Sequence, residues 1–420
     1  MSADAIEIAS TRRTGCVVVG AGPAGAVLSL LLARAGIRVA LLESHSDFDR
    51  DFRGDTVHPS TLEILDQLGL AEKLHQLPHG TIRQVRMVAP SGSVTVADFG
   101  WLRTRFPYIL MIPQAKLLDL LVTEASRFPN FELTLNATVQ RLVEEDGSVR
   151  GVRYRAADGR WHEVRADLSV AADGRFSKLR HLAGIEPVKT APPMDVVWFR
   201  LPRRSSDPAD AAELHIGGGH FAVILDRADD WQIAYVILKG SFAAVRAAGM
   251  GELQKGLAEV VPWLADRVGC LTDWSQVSVL NVESSCVPIW HKPGLLLIGD
   301  AAHAMSPVGG VGINYAVQDA VEAANLLAEP LRRGTVTDAD LANVQKRRER
   351  PVRFIQRVQA MIQDRIAAPG LTAGDKFRLP LPLRIISKVP GLRALPARVM
   401  GYGLRKVRVR EGLTVLRPPS

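Results

Sequence analysis

The segment CVVVGAGPAGAVLSLLLARAGIRVALLES, residues 16–44, decides the fold of this chain. Residues 16–19 are apolar and mostly β-branched, which is typical of a strand buried on both faces. A glycine-rich bend follows. Residues 24–35, rich in Ala and Leu, then predict a helix ending at Gly36, and residues 37–42 predict a second buried strand. A strand, a helix and a strand in this order form a βαβ unit, so the sequence predicts a parallel sheet in an α/β fold.

The bend has the G-x-G-x-x-G spacing of a dinucleotide site, at Gly20, Gly22 and Gly25. Gly20 permits the tight turn, Gly22 lets the backbone approach a pyrophosphate, and Gly25 lets the helix pack close to the strand. Pro23 and Ala24 begin the helix, where a missing N–H costs little and the positive end of the dipole faces the phosphates. The alternative is a plain βαβ unit with a glycine turn.

An acidic residue supports the dinucleotide interpretation. Glu43 ends the second strand about 20 residues further on, where its carboxylate can accept hydrogen bonds from both ribose hydroxyls. A negative charge at this position disfavours the 2′-phosphate of NADP. The first site is therefore expected to hold a dinucleotide other than NADP.

Length and composition limit the class of protein. The chain has 420 residues, which predicts two or three domains, and its formal net charge of +8 comes without any nucleic-acid motif, so nucleic acid is not an expected partner. Cys16, Cys270 and Cys286 lie far apart, which predicts neither a disulfide framework nor a metal site. No signal peptide or run of roughly 18 apolar residues is present, so the expected location is the cytoplasm.

The rest of the chain predicts a sheet inserted into the dinucleotide-binding domain. Residues 131–174 alternate in polarity around two Asp-Gly turns, strand-like runs continue from residue 196 to about 280, and the chain is mainly helical after residue 303. The prediction is a Rossmann-like cofactor domain formed by residues 1–80, 105–185 and 285–375. Residues 81–104 and 186–284 would form the inserted β-sheet substrate domain, and residues 376–420 a helical C-terminal tail.

Two later stretches specify which dinucleotide is bound. DLSVAADG, residues 167–174, is followed by RFSKLR, and GLLLIGDAAH, residues 294–303, is followed by AMSPVGGVGIN. Together with residues 20–25, and in this order, they resemble the class A flavoprotein monooxygenases, the para-hydroxybenzoate hydroxylase-like family. The three motifs extend over most of the first 330 residues.

The resemblance implies an extended FAD bound by these motifs. The stretch that begins at Asp173 would lie near the pyrophosphate and is associated with both FAD and NAD(P)H, and Asp300 would bind the ribityl chain or a ribose oxygen. The glycine-rich residues 308–312 would open a helix whose N–H groups stabilise the anionic edge of the reduced flavin. The residues expected to bind the cofactor are Gly20, Gly22, Pro23, Ala24, Gly25, Glu43, Arg53, Gln114, Asp173, Gly174, Asp300, Pro307, Gly310, Gly312, Ile313 and Asn314.

Each of the polar residues in this set also has a structural alternative. Asp300 could be an ordinary helix cap, Asp173 a turn residue, Arg53 a surface charge and Gln114 a polar residue at a helix start. For His303, a hydrogen-bonded structural histidine is the favoured interpretation.

The resemblance also implies the reaction. NADPH or NADH would reduce FAD, and O2 would then form a flavin hydroperoxide that delivers one oxygen atom to an apolar, aromatic small molecule. No side chain is assigned a catalytic role, and no metal-ligand spacing is present. The substrate would lie between the flavin and the inserted sheet, and the residues weakly predicted to bind it are His215, His220, Phe221 and Tyr235.

Three other functions share the fold. A flavin-dependent halogenase would carry a W-x-W-x-I-P stretch, which this chain lacks. An isoprenoid-type reductase would reduce its substrate without consuming O2. A flavin redox sensor would not form product at all.

The tail RLPLPLRIISKVPGLRALPARVMGYGLRKVRVR, residues 378–410, is both basic and apolar. It is expected to pack as helices on the cofactor domain, and contact with a membrane surface is the less favoured alternative. The expected assembly is a monomer or a homodimer.

Overall fold

The structure is a computed structural model that describes residues 7–49, 54–208, 211–227 and 229–414. Its strands are β1 (Ile8–Val19), β2 (Val39–Leu42), β3 (Thr56–Val57), β4 (Gly80–Ile82), β5 (Gln84–Ala89), β6 (Gly92–Asp98), β7 (Ile109–Met111), β8 (Phe131–Thr134), β9 (Thr138–Glu145), β10 (Ser148–Arg155), β11 (Trp161–Ala171), β12 (Val188–Thr190), β13 (Met194–Pro202), β14 (Ala211–Gly217), β15 (His220–Asp226), β16 (Asp230–Leu238), β17 (Ser278–Leu280), β18 (Ser284–Cys286), β19 (His291–Lys292) and β20 (Leu295–Leu297). Its helices are α1 (Pro23–Arg34), α2 (Pro59–Gln67), α3 (Ala71–His75), α4 (Gln114–Ala125), α5 (Lys178–Leu182), α6 (Phe242–Ala248), α7 (Met250–Val260), α8 (Gly312–Arg333), α9 (Asp338–Ile362), α10 (Ala368–Thr372), α11 (Leu381–Lys388), α12 (Pro390–Tyr402) and α13 (Glu411–Thr414).

The predicted βαβ unit forms the centre of the first sheet. Strand β1 runs parallel to both β2 and β11, and the order across the sheet is β19-β20-β11-β1-β2-β8. Helices α1 and α8 pack together on one face of this sheet, where α1 is buried along almost its whole length. Strand β1 begins at residue 8 rather than 16, because its polar first half pairs with β11 through the backbone and carries no apolar pattern that the sequence could show.

The carboxyl ends of the central strands coincide at one edge. Val19 of β1 pairs with Ala171 of β11, and Ala171 pairs with Leu297 of β20. Each of the three motifs singled out in the sequence begins directly after one of these strands. The parallel sheet therefore brings together three motifs that are far apart in the sequence.

A second sheet of seven strands has the order β17-β13-β16-β15-β14-β5-β6. Its strands come from residues 84–98 and 194–280, and β14 joins the two segments by pairing parallel to β5. Helix α7 covers one face, here called the outer face. The opposite face, here called the inner face, packs against Val308 and residues 366–383.

The tail packs differently from the expectation. Helices α11 and α12 lie against β6, the edge strand of the second sheet, and α12 also contacts α2. An open edge strand exposes unpaired backbone groups, so helices that cover it protect the sheet. Residues 407–414 then return to the cofactor domain, where Arg34 donates a hydrogen bond to the Thr414 carbonyl at 2.6 Å.

None of the helices in the described ranges combines the length and the apolar character that crossing a bilayer requires.

Candidate functional site

The glycine turn after β1 lies directly against the segment that follows β11. Gly20 has a φ of +98°, and a Cβ at this position would lie 2.4 Å from the Ala172 carbonyl oxygen. A Cβ at Gly25 would lie 1.9 Å from the Gly20 carbonyl oxygen. Both glycines are therefore required by close backbone packing, as the sequence predicts.

Gly22 differs from its two neighbours in the motif. A Cβ placed on Gly22 would meet no protein atom of the described residues within 4 Å, so this side of the turn faces open space. Gly22 caps α1 without any side-chain hydrogen bond, and Pro23 is the first helical residue. The first N–H groups of α1 are thus directed to a space that an anionic ligand can enter.

Glu43 closes one side of this space. Its Oε2 accepts a hydrogen bond from the Ala21 backbone N–H at 2.9 Å, and its Oε1 accepts one from the His45 backbone N–H at 3.1 Å. The carboxylate is buried at the end of β2, next to the glycine turn. This is the position from which the sequence predicts contact with a ribose.

The segment after β11 serves two purposes. Asp173 accepts hydrogen bonds from the backbone N–H groups of Lys178 at 2.7 Å and Leu179 at 3.1 Å, so its carboxylate caps α5. Arg180 is buried and donates to the Ala301 carbonyl at 2.9 Å, which ties this segment to the turn that contains Asp300. Asp173 and Gly174 are half-buried, so both still border the open space.

The turn that carries Asp300 is fixed by a buried ionic network. Gly299 (φ +59°) would bring a Cβ within 3.2 Å of the Ala24 Cβ, so the turn touches the start of α1. Asp319 of α8 accepts hydrogen bonds from the Gly299 N–H at 3.0 Å, from His303 Nε2 at 2.5 Å and from Arg348 Nε at 2.7 Å.

Charge compensation keeps Asp319 ionised inside this network. Burial raises the pKa of the Asp319 carboxyl, but His303 and Arg348 outweigh that effect and hold the pKa below its usual value. His303 is buried in the network, in keeping with the interpretation of a structural histidine. Asp300 itself is half-buried in the turn that the network supports.

The glycine-rich stretch after Pro307 is held from the other side. Gly310 has a φ of +61°, and its carbonyl accepts hydrogen bonds from Thr56 Oγ1 at 2.8 Å and from His58 Nε2 at 3.0 Å. Gly312, the next glycine, is the first residue of α8, and no side chain of the described residues caps this helix. A Cβ on Gly299 would lie 3.2 Å from Ala24 Cβ in α1 and 3.4 Å from Ala316 Cβ in α8, so the beginnings of both helices adjoin the Asp300 turn.

Ile313 and Asn314 are the second and third residues of α8. The Asn314 side chain is fully buried, where its Oδ1 accepts hydrogen bonds from Thr61 at 2.9 Å and from Ser60. This side chain ties α8 to α2, so only the backbone of Asn314 is placed to contact a cofactor.

Protonation of His58 is opposed by its burial, which lowers its pKa to about 4. Because the unfolded chain binds a proton near pH 6.5 and the folded chain does not, stability is expected to fall as the pH drops from about 6.5 towards 4. Between pH 6.5 and 4, we expect the free energy of unfolding of the wild type to fall by about 3 kcal/mol more than that of His58→Gln. Urea unfolding at saturating FAD measures the difference, and His181→Gln, at an exposed position, is the control. A stability difference between wild type and His58→Gln that does not change with pH would contradict the prediction.

The loop after Arg53 meets α4 and α8. Arg53 lies outside the described residues, so its predicted contact stays a prediction. A Cβ on Gly54 would lie 2.8 Å from Gln114 Nε2 and 3.0 Å from Ile313 Cδ1, so these two predicted residues lie side by side. The half-buried Gln114 begins α4, and its backbone N–H donates to Asp55 at 3.3 Å.

A buried ion pair connects this loop to the second sheet. Arg227, in the turn between β15 and β16, lies with its Nε 3.1 Å from Asp55 Oδ2, and both side chains are buried. Burial raises the pKa of the Asp55 carboxyl, although Arg227 opposes that shift. The pair fixes the second sheet against the loop that precedes α2.

These features fit an extended, anionic dinucleotide such as FAD. The beginnings of α1 and α8 both adjoin the Asp300 turn without a side-chain cap, and the glycine at the first of them leaves room for a ligand atom. The space is bordered by half-buried residues within an otherwise buried region, namely Gly22, Pro23, Asp173, Gly174, Asp300, Pro307, Gly310 and Gly312.

Of the four weakly predicted substrate residues, only Phe221 is on the inner face. It packs with Met194, Val236 and Val308. Tyr235 is on the outer face, where its hydroxyl hydrogen-bonds His220 Nδ1 beneath α7.

The geometry of α7 confirms this placement of His220 and Tyr235. A Cβ on Gly256 of α7 would lie 2.7 Å from both side chains. His215 pairs with Ala222, an outer-face residue, and bonds Glu213 at 2.8 Å. The outer-face placement of these three polar residues argues against substrate contact, because strand alternation directs their side chains away from Val308.

Three supporting residues were not singled out from the sequence. Thr56 and His58 hold the Gly310 carbonyl, and Arg348 pairs with Asp319. A single histidine before a helix has no distinctive spacing. Arg348 lies within KRRER, residues 346–350, and the sequence does not show which of the four basic residues in this stretch is buried.

Comparison with known proteins places the chain among oxygenating flavoproteins. The model of the FAD binding domain family matches residues 13–358. The 6-methylpretetramide 4-monooxygenase of Streptomyces rimosus is 33% identical over 403 residues, which cover 95% of each chain. The para-nitrophenol 4-monooxygenase of Pseudomonas sp. (strain WBC-3) is 27% identical over 348 residues, covering 77% of this chain and 80% of that one. The solved structure of the anhydrotetracycline hydroxylase OxyS from Streptomyces rimosus superposes with a TM-score of 0.72 at 25% identity, covering 93% of this chain and 76% of that one.

Proposed function

Because this chain belongs to the FAD binding domain family and is a class A FAD-dependent monooxygenase, we propose that it hydroxylates a large, apolar aromatic compound related to 6-methylpretetramide. The observation that carries this choice is the match to the Streptomyces rimosus relative, which is 33% identical and covers 95% of both chains. The para-nitrophenol enzyme is less similar and matches a smaller part of the chain. A large substrate is therefore favoured over a small phenol.

FAD would be held by the residues predicted from the sequence. The N–H groups at the start of α1, with Gly22 at the cap, would bind the pyrophosphate, and Glu43 would accept hydrogen bonds from the ribose. Asp300 would bind the ribityl chain, and the N–H groups at the start of α8 would face the flavin edge that becomes negative on reduction. When bound, FAD supplies the redox chemistry with NAD(P)H and O2 that this family uses.

The protein residues would bind the substrate, orient it and exclude water. The inner face presents apolar side chains, including Met194, Phe221 and Val236, towards the glycine-rich stretch at Val308. Residues 366–383 cover part of this face and limit the entry of water. Trp198 and Val223, which are half-buried on the same face, would add contacts to an aromatic ring.

The proposed domain division follows from the same arrangement. Residues 1–80, 105–185 and 285–375 would bind FAD, whereas residues 81–104 and 186–284 would form the substrate domain. Either NADPH or NADH would be the reductant, and the protein would act as a monomer or a homodimer.

The proposal is tested by measuring NAD(P)H oxidation, O2 consumption and product mass with three compounds. These are 6-methylpretetramide, anhydrotetracycline and para-nitrophenol. We expect the first to accelerate flavin reduction and to gain 16 mass units, while para-nitrophenol has little effect. Fast hydroxylation of para-nitrophenol alone would overturn the proposed substrate class but not the enzyme class.

Substitutions on the two faces of the second sheet are expected to differ in their effect on substrate binding. Phe221→Leu, on the inner face, is expected to raise KM for the substrate about 2- to 10-fold, because aromatic contacts contribute about 0.5–1.5 kcal/mol. Tyr235→Phe, on the outer face, should leave KM unchanged. FAD content measured at 450 nm controls for folding of both variants. Equal effects of the two substitutions on KM would contradict the assignment of the inner face.

A further inference from the structure

The two tail helices leave an apolar surface uncovered. The opposite side of each helix is packed on the protein, since Leu383 of α11 packs against the second sheet and Ala397 of α12 is fully buried. The exposed apolar residues lie four positions apart in α11 and three positions apart in α12, so they share one side of each helix, and one more lies at the junction between the two helices. We call them the tail surface: Leu381, Ile385, Val389, Leu392 and Leu395.

The exposure of the tail surface is large for aliphatic side chains. Leu381 is 65% exposed, Leu395 is 61% exposed and Ile385 is 52% exposed. Single exposed apolar residues are normal, but a series of them on two consecutive helices indicates an interaction surface.

The charge around the tail surface is of one sign. Residues 376–410 contain ten lysines and arginines and no aspartate or glutamate. Arg384, Lys388 and Arg398 are exposed between or beside the apolar residues. Among the described residues, no carboxylate forms an ion pair with any of these three.

We infer that the tail surface docks the enzyme on an anionic lipid bilayer. Aliphatic side chains bordered by basic ones are the combination that binds the interface of such a membrane, because the former insert among acyl chains and the latter contact lipid phosphates. Long basic side chains can extend to the headgroups while their stems stay in the apolar layer. The helices would lie in the plane of the interface, since both are too short to cross it.

The charge distribution disfavours a second copy of the chain as the occupant. Two tail surfaces placed face to face would bring Arg384, Lys388 and Arg398 of both copies together without a carboxylate from either tail. Nucleic acid is disfavoured for a different reason. The exposed apolar residues are aliphatic and provide no aromatic ring for base stacking.

The test is co-sedimentation of the FAD-loaded full chain with vesicles. Phosphatidylcholine vesicles containing 30% phosphatidylserine are compared with phosphatidylcholine alone, at low salt and at about 0.5 M salt. We expect binding only to the anionic vesicles, with weaker binding at high salt. No sedimentation with the anionic vesicles, or equal sedimentation with both lipids, would overturn the inference.

Two double variants separate the apolar and basic contributions. Ile385→Ser with Leu395→Ser removes exposed apolar groups, and Arg384→Glu with Lys388→Glu reverses two charges. Each double variant is expected to weaken partitioning at least about tenfold, since an inserted aliphatic side chain contributes about 1.5–3 kcal/mol and one basic residue near an anionic surface about 1 kcal/mol. The matched control Arg246→Glu with Lys255→Glu, at exposed positions on α6 and α7, should bind as wild type does.

The FAD content and the NADH oxidation rate without vesicles serve as the fold control for every variant. Wild-type binding by both tail double variants would overturn the inference. So would the result that the apolar variant abolishes concentration-dependent dimerisation in size-exclusion chromatography and leaves vesicle binding intact, because the surface would then join two copies of the chain.

Discussion

Replacing Gly22 with tryptophan is expected to abolish FAD binding while the chain stays folded. A side chain at this position would enter the space beside the start of α1, where the described residues leave no atom within 4 Å of a Cβ. The bulk would displace a pyrophosphate from the N–H groups of the helix. Losing two hydrogen bonds to a charged group, at about 1.5–3 kcal/mol each, corresponds to roughly 100-fold weaker binding or more. Absorbance at 450 nm measures the bound FAD, and circular dichroism measures the fold.

Two further glycine variants serve as controls for the Gly22→Trp result. Gly251→Trp, at an exposed position in α7 with open space around it, should retain FAD. Gly25→Val should lose both FAD and stability, because its Cβ would lie 1.9 Å from the Gly20 carbonyl oxygen. A Gly22→Trp protein with wild-type FAD content would contradict the placement of the cofactor at α1.

Replacing Arg348 with methionine is expected to destabilise the protein by about 3–5 kcal/mol. Arg348 and Asp319 are both fully buried, and their atoms are 2.7 Å apart, so removing the cation leaves the Asp319 carboxylate in the core with His303 as its remaining side-chain partner. The same carboxylate accepts a hydrogen bond from the Gly299 N–H, and the Asp300 turn should therefore loosen as well. Urea unfolding at neutral pH measures the loss of stability.

A nearby arginine provides the control for that experiment. Arg350 is exposed and forms no ion pair with the described residues, so Arg350→Met should cost at most about 0.5 kcal/mol. Weaker FAD binding by Arg348→Met at a urea concentration where it is still folded would show that the network also positions the Asp300 turn. If the two variants lost equal amounts of stability, the prediction that the buried pair of Arg348 and Asp319 contributes more than an exposed arginine would be wrong.

The cofactor motifs could be predicted because their requirements are local. The glycines at 20 and 25 are fixed by close backbone contacts within one turn of helix and strand, and the distance between Gly22 and Glu43 follows from the length of one βαβ unit. Parallel pairing then places the segments after β1, β11 and β20 at one edge. Family membership confirmed the identity of the cofactor as FAD.

The substrate residues could not be chosen in the same way. The sequence predicts substrate contacts for His215, His220 and Tyr235 because they are polar residues within otherwise apolar strands. A strand places alternate side chains on opposite faces, however, and only the packing of α7 and Val308 distinguishes those faces.

The sequence by itself determined the βαβ unit, because the spacing of its residues is set by short-range geometry. It also carried the three motifs whose resemblance to a known family implied FAD and the class of reaction. The tertiary structure alone decided which face of the second sheet lies towards the cofactor, which arginine of residues 346–350 pairs with Asp319, and that the tail helices cover β6. Each of those outcomes depends on contacts between segments that are tens to hundreds of residues apart. Burial and charge pairing decide which of many possible contacts form, and a local sequence pattern does not show which distant segments meet.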